Sequence, residues 1–162
     1  MKIINLTVIS AGQATLPSAI DLLDMCPGGN IVAMPSSIHA PGTWLALGRS
    51  DILLLDEAVI ACDGAAAVRT IHACYPALRT LLLVDHDHDD RVQAAFSLGV
   101  HEVMLRTTVL ARLWQAISML YESGAMTPEK NRHQSCEPLG NRDHEVVQTP
   151  FCRIPDVWNK LH

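Results

Sequence analysis

Asp51-Ile52-Leu53-Leu54-Leu55-Asp56 is an unbroken aliphatic run with an acid at each end. A strand with one face in water alternates apolar and polar side chains, because successive side chains point to opposite faces. This run does not alternate, so it predicts a strand buried on both faces, the condition of a parallel sheet covered by helices on either side. Arg79-Thr80-Leu81-Leu82-Leu83-Val84 has the same character and predicts a second such strand.

Working outward, the chain alternates strand signals with helix signals. Lys2 to Ser10 is rich in β-branched and apolar residues, Ala11-Gly12-Gln13 breaks it, and Thr15-Leu16-Pro17 offers a cap followed by a proline just inside a helix. That helix carries Leu16, Ala19, Ile20 and Leu23 and stops at Cys26-Pro27-Gly28-Gly29; Asn30 to Met34 is then a short strand. Further helices are predicted at Pro41 to Leu47, Ala65 to Cys74, Asp90 to Leu98 (closed by Gly99) and Val109 to Glu122, with a last strand at His101 to Leu105. Five strands alternating with five helices predict an α/β fold, a three-layer sandwich around a five-stranded parallel sheet. Residues 1–123 make one domain. Residues 124–162 hold prolines and many polar residues without sustained apolar periodicity, and read as a linker or tail.

Composition narrows the function. Of the 162 residues 49% are hydrophobic but only 4% aromatic, so the core is aliphatic. A net charge of −5 without a Lys/Arg stripe argues against nucleic-acid binding by this segment alone. No apolar run approaches the roughly 20 residues of a membrane span, and the start of the chain lacks a secretory cleavage signature, so a cytoplasmic protein is expected. Cys26, Cys62, Cys74, Cys136 and Cys152 are an odd number without a CxxC pair, and are expected to be reduced structural thiols with no metal. No GxSxG, P-loop or GxGxxG occurs, which removes common α/β enzymes, and no cofactor or enzymatic activity is expected. His39, His72 and His101 are scattered and read as surface or hydrogen-bonded histidines.

Ser50-Asp51-Ile52-Leu53-Leu54-Leu55-Asp56 resembles the third strand of bacterial response-regulator receiver domains, which ends in the aspartate that accepts a phosphoryl group. Leu81-Leu82-Leu83-Val84-Asp85-His86-Asp87 and Val92 to Arg106 resemble the fourth strand, fourth helix and fifth strand of the same family, most closely the subfamily with a C-terminal helix-turn-helix. The likeness spans about residues 1–123 and implies a flavodoxin-like, receiver-like doubly wound sheet. It also implies that residues 124–162 are a remnant of, or lead into, an output domain. Leu139 to Gln148 is faintly similar to the opening of that output domain, and Thr149-Pro150 then interrupts it.

Departures from the family pattern decide the expected function. By the resemblance Asp56 is the phosphoacceptor equivalent. The acidic pair that holds Mg²⁺ in the family is matched by Ser10 and Ala11, neither of which replaces a carboxylate as a ligand for a hard cation. The switch hydroxyl is matched by Val84 and the family's lysine by Arg106. Phosphoryl transfer depends on the metal, so the resemblance implies a degenerate receiver that signals by protein contact, with Arg106 able to bridge Asp56 and fix one switch state. A working phosphoacceptor at Asp56 and a small-molecule sensor at the strand-end crevice are the alternatives.

Two further features carry expectations. Asp85-His86-Asp87-His88-Asp89-Asp90 has metal-ligand residue types, but adjacent residues rarely converge on one ion; Asp89 and Asp90 are expected to cap the next helix, with solvated histidines and Asp85 as a partial stand-in for the missing acids. On the last helix Val109, Leu113, Ala116 and Leu120 form one apolar stripe and Leu110, Trp114, Ile117 and Tyr121 a second. One stripe suffices to cover the sheet. The second, with the family's habit of pairing through this region, predicts a homodimer through the fifth helix.

Overall fold

The structure is a computed structural model that describes residues 2–10, 21, 24, 26–40, 42–86, 88–108 and 110–125, the side chains of residues 62, 63 and 125 excepted. Its five strands are β1 (Ile4–Ile9), β2 (Gly29–Ala33), β3 (Ile52–Asp56), β4 (Arg79–Val84) and β5 (Glu102–Leu105). The helices are α1 (Thr43–Leu47), α2 (Glu57–Val59), α3 (Ala65–Cys74), α4 (Asp89–Ser97) and α5 (Leu110–Ala125), with a π-helical turn at Ile60–Gly64 joining α2 to α3. All strand pairs are parallel in the order β2-β1-β3-β4-β5. The helix expected before β2 falls mostly outside the described residues, although Asp21 and Asp24 are helical.

Every residue of β3 is buried, because the strand sits at the centre of the sheet with helices on both faces. Leu53 and Leu55 pack with Val68, Ile71 and Ala95 under α3 and α4, whereas Ile52 and Leu54 pack with Leu113 and Ile117 of α5. Each such side chain contributes about 1.5–3 kcal/mol relative to an exposed one. The two acids that bracket the run have different fates. Asp51 accepts from the main-chain and side-chain amides of Asn5 and so pins β3 to β1, while Asp56 closes the opposite, carboxyl-terminal edge.

Several boundaries move, most of all that of the helix after β3. The helix after β3 starts at once, at Glu57, instead of at Ala65, because the Asp56 carboxylate accepts from the Ala58 amide at 3.1 Å and so serves as its cap. Gly64 closes the π-helical turn where a Cβ would run into the Val59 carbonyl. Gly99 ends α4 at φ +95°, and its missing Cβ leaves room for the His72 ring. At the other end of the domain α5 runs to Ala125, slightly beyond the expected boundary. Cys74 is disulfide-bonded, its partner lying outside the described side chains, which corrects the expectation of reduced thiols there; Cys26 is a free, buried thiol. No helix among the described residues is long and apolar enough to cross a membrane.

Candidate functional site at the carboxyl edge of the sheet

β1 and β3 are neighbours whose onward connections diverge, β1 leading to β2 on one side and β3 to β4 on the other. Ligands of open α/β sheets bind outside the carboxyl ends of the strands at such a switch point. Ser10, just after β1, and Asp56, at the end of β3, stand there. Asp56 is 0% exposed. A buried carboxylate is tolerated only when its lone pairs are satisfied and its charge balanced. Arg106, just beyond β5, meets Asp56 Oδ1 through Nη2 at 2.7 Å, and Ser10 Oγ donates to Oδ2 at 3.3 Å. With the Ala58 amide also on Oδ1, both oxygens are engaged by protein donors.

The same arginine faces the loop after β4. Arg106 Nε lies 3.2 Å from Asp85 Oδ1, close enough for attraction between the charges. The N–H is not aimed at that oxygen, so Nε makes no hydrogen bond among the described residues. Asp85, half exposed, is therefore an ion partner of Arg106 and part of the same charge cluster. Val84, the switch-equivalent position, is buried at the end of β4, and its carbonyl accepts from the Arg106 amide at 2.8 Å. Position 84 thus presents aliphatic surface to the core beneath the site. Ala11 lies outside the described residues.

Glu57 is a site residue that the sequence reading missed. It is only 6% exposed, accepts from the Asp85 amide at 2.9 Å and pairs with the Arg91 guanidinium of α4. One carboxylate thus ties the start of α2 to the β4–α4 loop and to α4. The one signal in the sequence was an acid directly before the apolar Ala58-Val59-Ile60; Arg91 as its partner is a tertiary fact.

Two histidines read as scattered come together at the opposite edge. His72 and His101 have ring centroids 5.3 Å apart. The Thr80 amide donates to His101 Nδ1 at 3.1 Å, and Thr80 Oγ1 lies 3.2 Å from His72 Nε2. Burial first, then the positive charge of Arg79 and the neighbouring His72, push the His101 pKa down to about 4; burial and Arg79 lower that of His72. They are hydrogen-bonded neutral rings of the fold, as expected of histidines outside a site.

The second α5 stripe is not free as expected. Ile117 is 0% exposed in the core beside Leu113, and Leu110, Trp114 and Tyr121 pack half-buried against the same cluster. Trp114 lies over Gly29 at the start of β2, and Lys2 Nζ covers the Tyr121 ring at 4.4 Å. The sheet is wide enough here to use both stripes: Ile117, fully buried, is removed from any subunit interface, while Trp114 packs half-buried against the core. Exposed apolar surface nearby belongs instead to Phe96 of α4, Leu105 of β5 and Met119 of α5, at 45%, 36% and 63%.

Neither a protein-family model nor a curated protein sequence matches the chain. Solved structures do. The chain is similar to the receiver domain of RcsB from Salmonella enterica serovar Typhimurium, with TM-score 0.63 and 17% identity over 75% of this chain and 90% of that one. A LuxR-family two-component response regulator from Aurantimonas sp. gives TM-score 0.65 and 20% identity, covering 75% and 87% of the two chains. A pilus assembly-related protein from Burkholderia pseudomallei gives 0.65 and 20%, covering 74% and 90%.

Proposed function

From the fold of response-regulator receiver domains, which this chain shares, we propose that the protein is a receiver-like signalling module that works without phosphorylation. The carrying observation is the Asp56 carboxylate. It is fully buried and held by Arg106, Ala58 and Ser10, so the group that would attack a phosphoryl donor is already committed to partners of the chain itself. In-line attack needs a solvated oxygen and a cation to balance the equatorial oxygens. Ser10 offers a hydroxyl where the family pattern has an acid, and Arg106 occupies the carboxylate directly. The module's output is then contact with a second copy or another protein, in the service of transcriptional regulation as the LuxR-family neighbour suggests. Phe96, Leu105 and Met119, one on each of three adjoining elements, supply exposed apolar surface for that contact.

The test is mass spectrometry after incubation with acetyl phosphate, with and without Mg²⁺. No stable Mg²⁺-dependent adduct is expected. A gain of one phosphoryl mass that disappears in Asp56→Asn would overturn the proposal in favour of a working phosphoacceptor.

A further inference from the structure

The loop between β4 and α4 carries two imidazoles that the signalling reading does not use. His86 and His88 are exposed, their ring centroids 5.9 Å apart and the rings tilted by 53°. Neither ring makes a hydrogen bond or ion pair with another described residue. Their placement breaks a local rule. The N-cap of α4 is His88, in extended conformation and without a side-chain cap hydrogen bond, where Ser, Thr, Asp or Asn is favoured. The expected explanation of this acidic and histidine-rich loop, with Asp89 and Asp90 as caps, therefore holds only for the helix dipole, since both acids lie inside the first turn. Breaches of local preference that bring no local gain concentrate at functional sites.

We propose that His86 and His88 bind a divalent transition-metal ion of the imidazole-preferring kind, nickel, copper or zinc. With a metal–nitrogen bond of about 2.1 Å and a nitrogen about 1.1 Å from its ring centre, an ion shared by two imidazoles holds their centroids about 5.2 Å apart at the tetrahedral angle and at most about 6.4 Å when collinear. The observed 5.9 Å lies between these limits, a ring separation that one shared ion allows. The described backbone on either side of residue 87 is held: the Asp85 amide by Glu57, which also pairs with Arg91, and the His88 amide by the His86 carbonyl. Asp89 and Asp90 offset the positive end of α4, which would otherwise repel a cation. Among the described residues no cluster of three or more His, Cys, Asp or Glu forms a closed metal cage. The site is thus an open one, with two protein nitrogens and remaining positions for water or an incoming ligand. It lies on the segment whose Asp85 faces Arg106, but it does not depend on the signalling proposal.

The experiment follows the imidazole ring signals of the eight histidines by ¹³C-edited NMR while NiCl₂ is added to the full chain. Signals assigned to His86 and His88 through the His86→Gln and His88→Gln variants are expected to broaden first, up to one equivalent. By calorimetry each single variant should weaken Ni²⁺ binding roughly tenfold or more, while His39→Gln leaves it unchanged; Mg²⁺, a hard ion, should not compete. Both side chains are exposed, so the variants should keep the wild-type circular dichroism. Broadening that begins at other histidines, or single variants that bind Ni²⁺ within about twofold of wild type, would overturn the assignment.

Discussion

Removing Arg106 tests the buried charge pair directly. Arg106→Ala deletes the 2.7 Å contact to Asp56, a carboxylate of 0% exposure whose other donors among the described residues include the neutral Ala58 amide and Ser10 hydroxyl. Breaking one side of a buried pair costs about 3–5 kcal/mol, because the remaining charge stays desolvated. The variant should therefore lose about 3 kcal/mol at pH 7 relative to wild type. For a domain of this size the pH 7 loss corresponds to a fall in Tm of about 12 °C. Urea unfolding followed by circular dichroism at pH 7 measures it. Adding Asp56→Asn to Arg106→Ala removes the stranded charge and should restore a large part of the loss at pH 7. A loss below about 1 kcal/mol at pH 7 would refute a charged, buried pair as the holder of this site.

Acid sensitivity should arise at the opposite edge of the sheet. The His101 pKa is lowered to about 4, so the native ring stays neutral where the unfolded ring, at about 6.5, takes up a proton. Stability from this group is complete above about pH 6.5 and is lost as pH falls toward 4. The limiting slope is about 1.36 kcal/mol per pH unit, and about half of that is expected because the ring is partly exposed. His101→Asn, whose side-chain oxygen can accept from the Thr80 amide, should flatten the slope between pH 6.5 and 4.5; equal slopes in urea titrations would contradict the assignment. On α5, Trp114→Glu should cost stability, since Trp114 packs half-buried over Gly29 and against the core, whereas Met119→Glu at 63% exposure should leave the fold intact. Light scattering on Met119→Glu reads the dimer: a wild type that is already monomeric, or a variant as dimeric as wild type, removes Met119 from the proposed contact face.

The sheet was legible in the sequence because aliphatic runs and glycine stops act locally. Ile52 to Leu55 and Leu81 to Val84 are buried on both faces inside a parallel sheet, and Gly99 does take the left-handed conformation that ends a helix. Asp56 was placed at the strand end by its position in the run, and Arg106 was named as a partner from its charge and the family pattern. Charge and residue type do not encode distance, however. Glu57 read as one more acid beside Asp56; only folding showed that its carboxylate reaches Asp85 and Arg91. His72 and His101 looked unrelated because their approach depends on how α3 and β5 cross β4, with Gly99 vacating the space between. The two stripes of α5 were read correctly as apolar, but a helical wheel does not give the width of the surface opposite. That width, set by β1, β3 and β4 together with the start of β2, decided that Ile117 belongs to the core and that Trp114 packs half-buried against it. The sequence by itself thus determined which residues must be buried and in what kind of layer, since burial follows from local pattern and the aversion of apolar surface to water. Tertiary structure alone decided which charges meet, because an ion pair between strand ends depends on strand order and register, and no local pattern carries these.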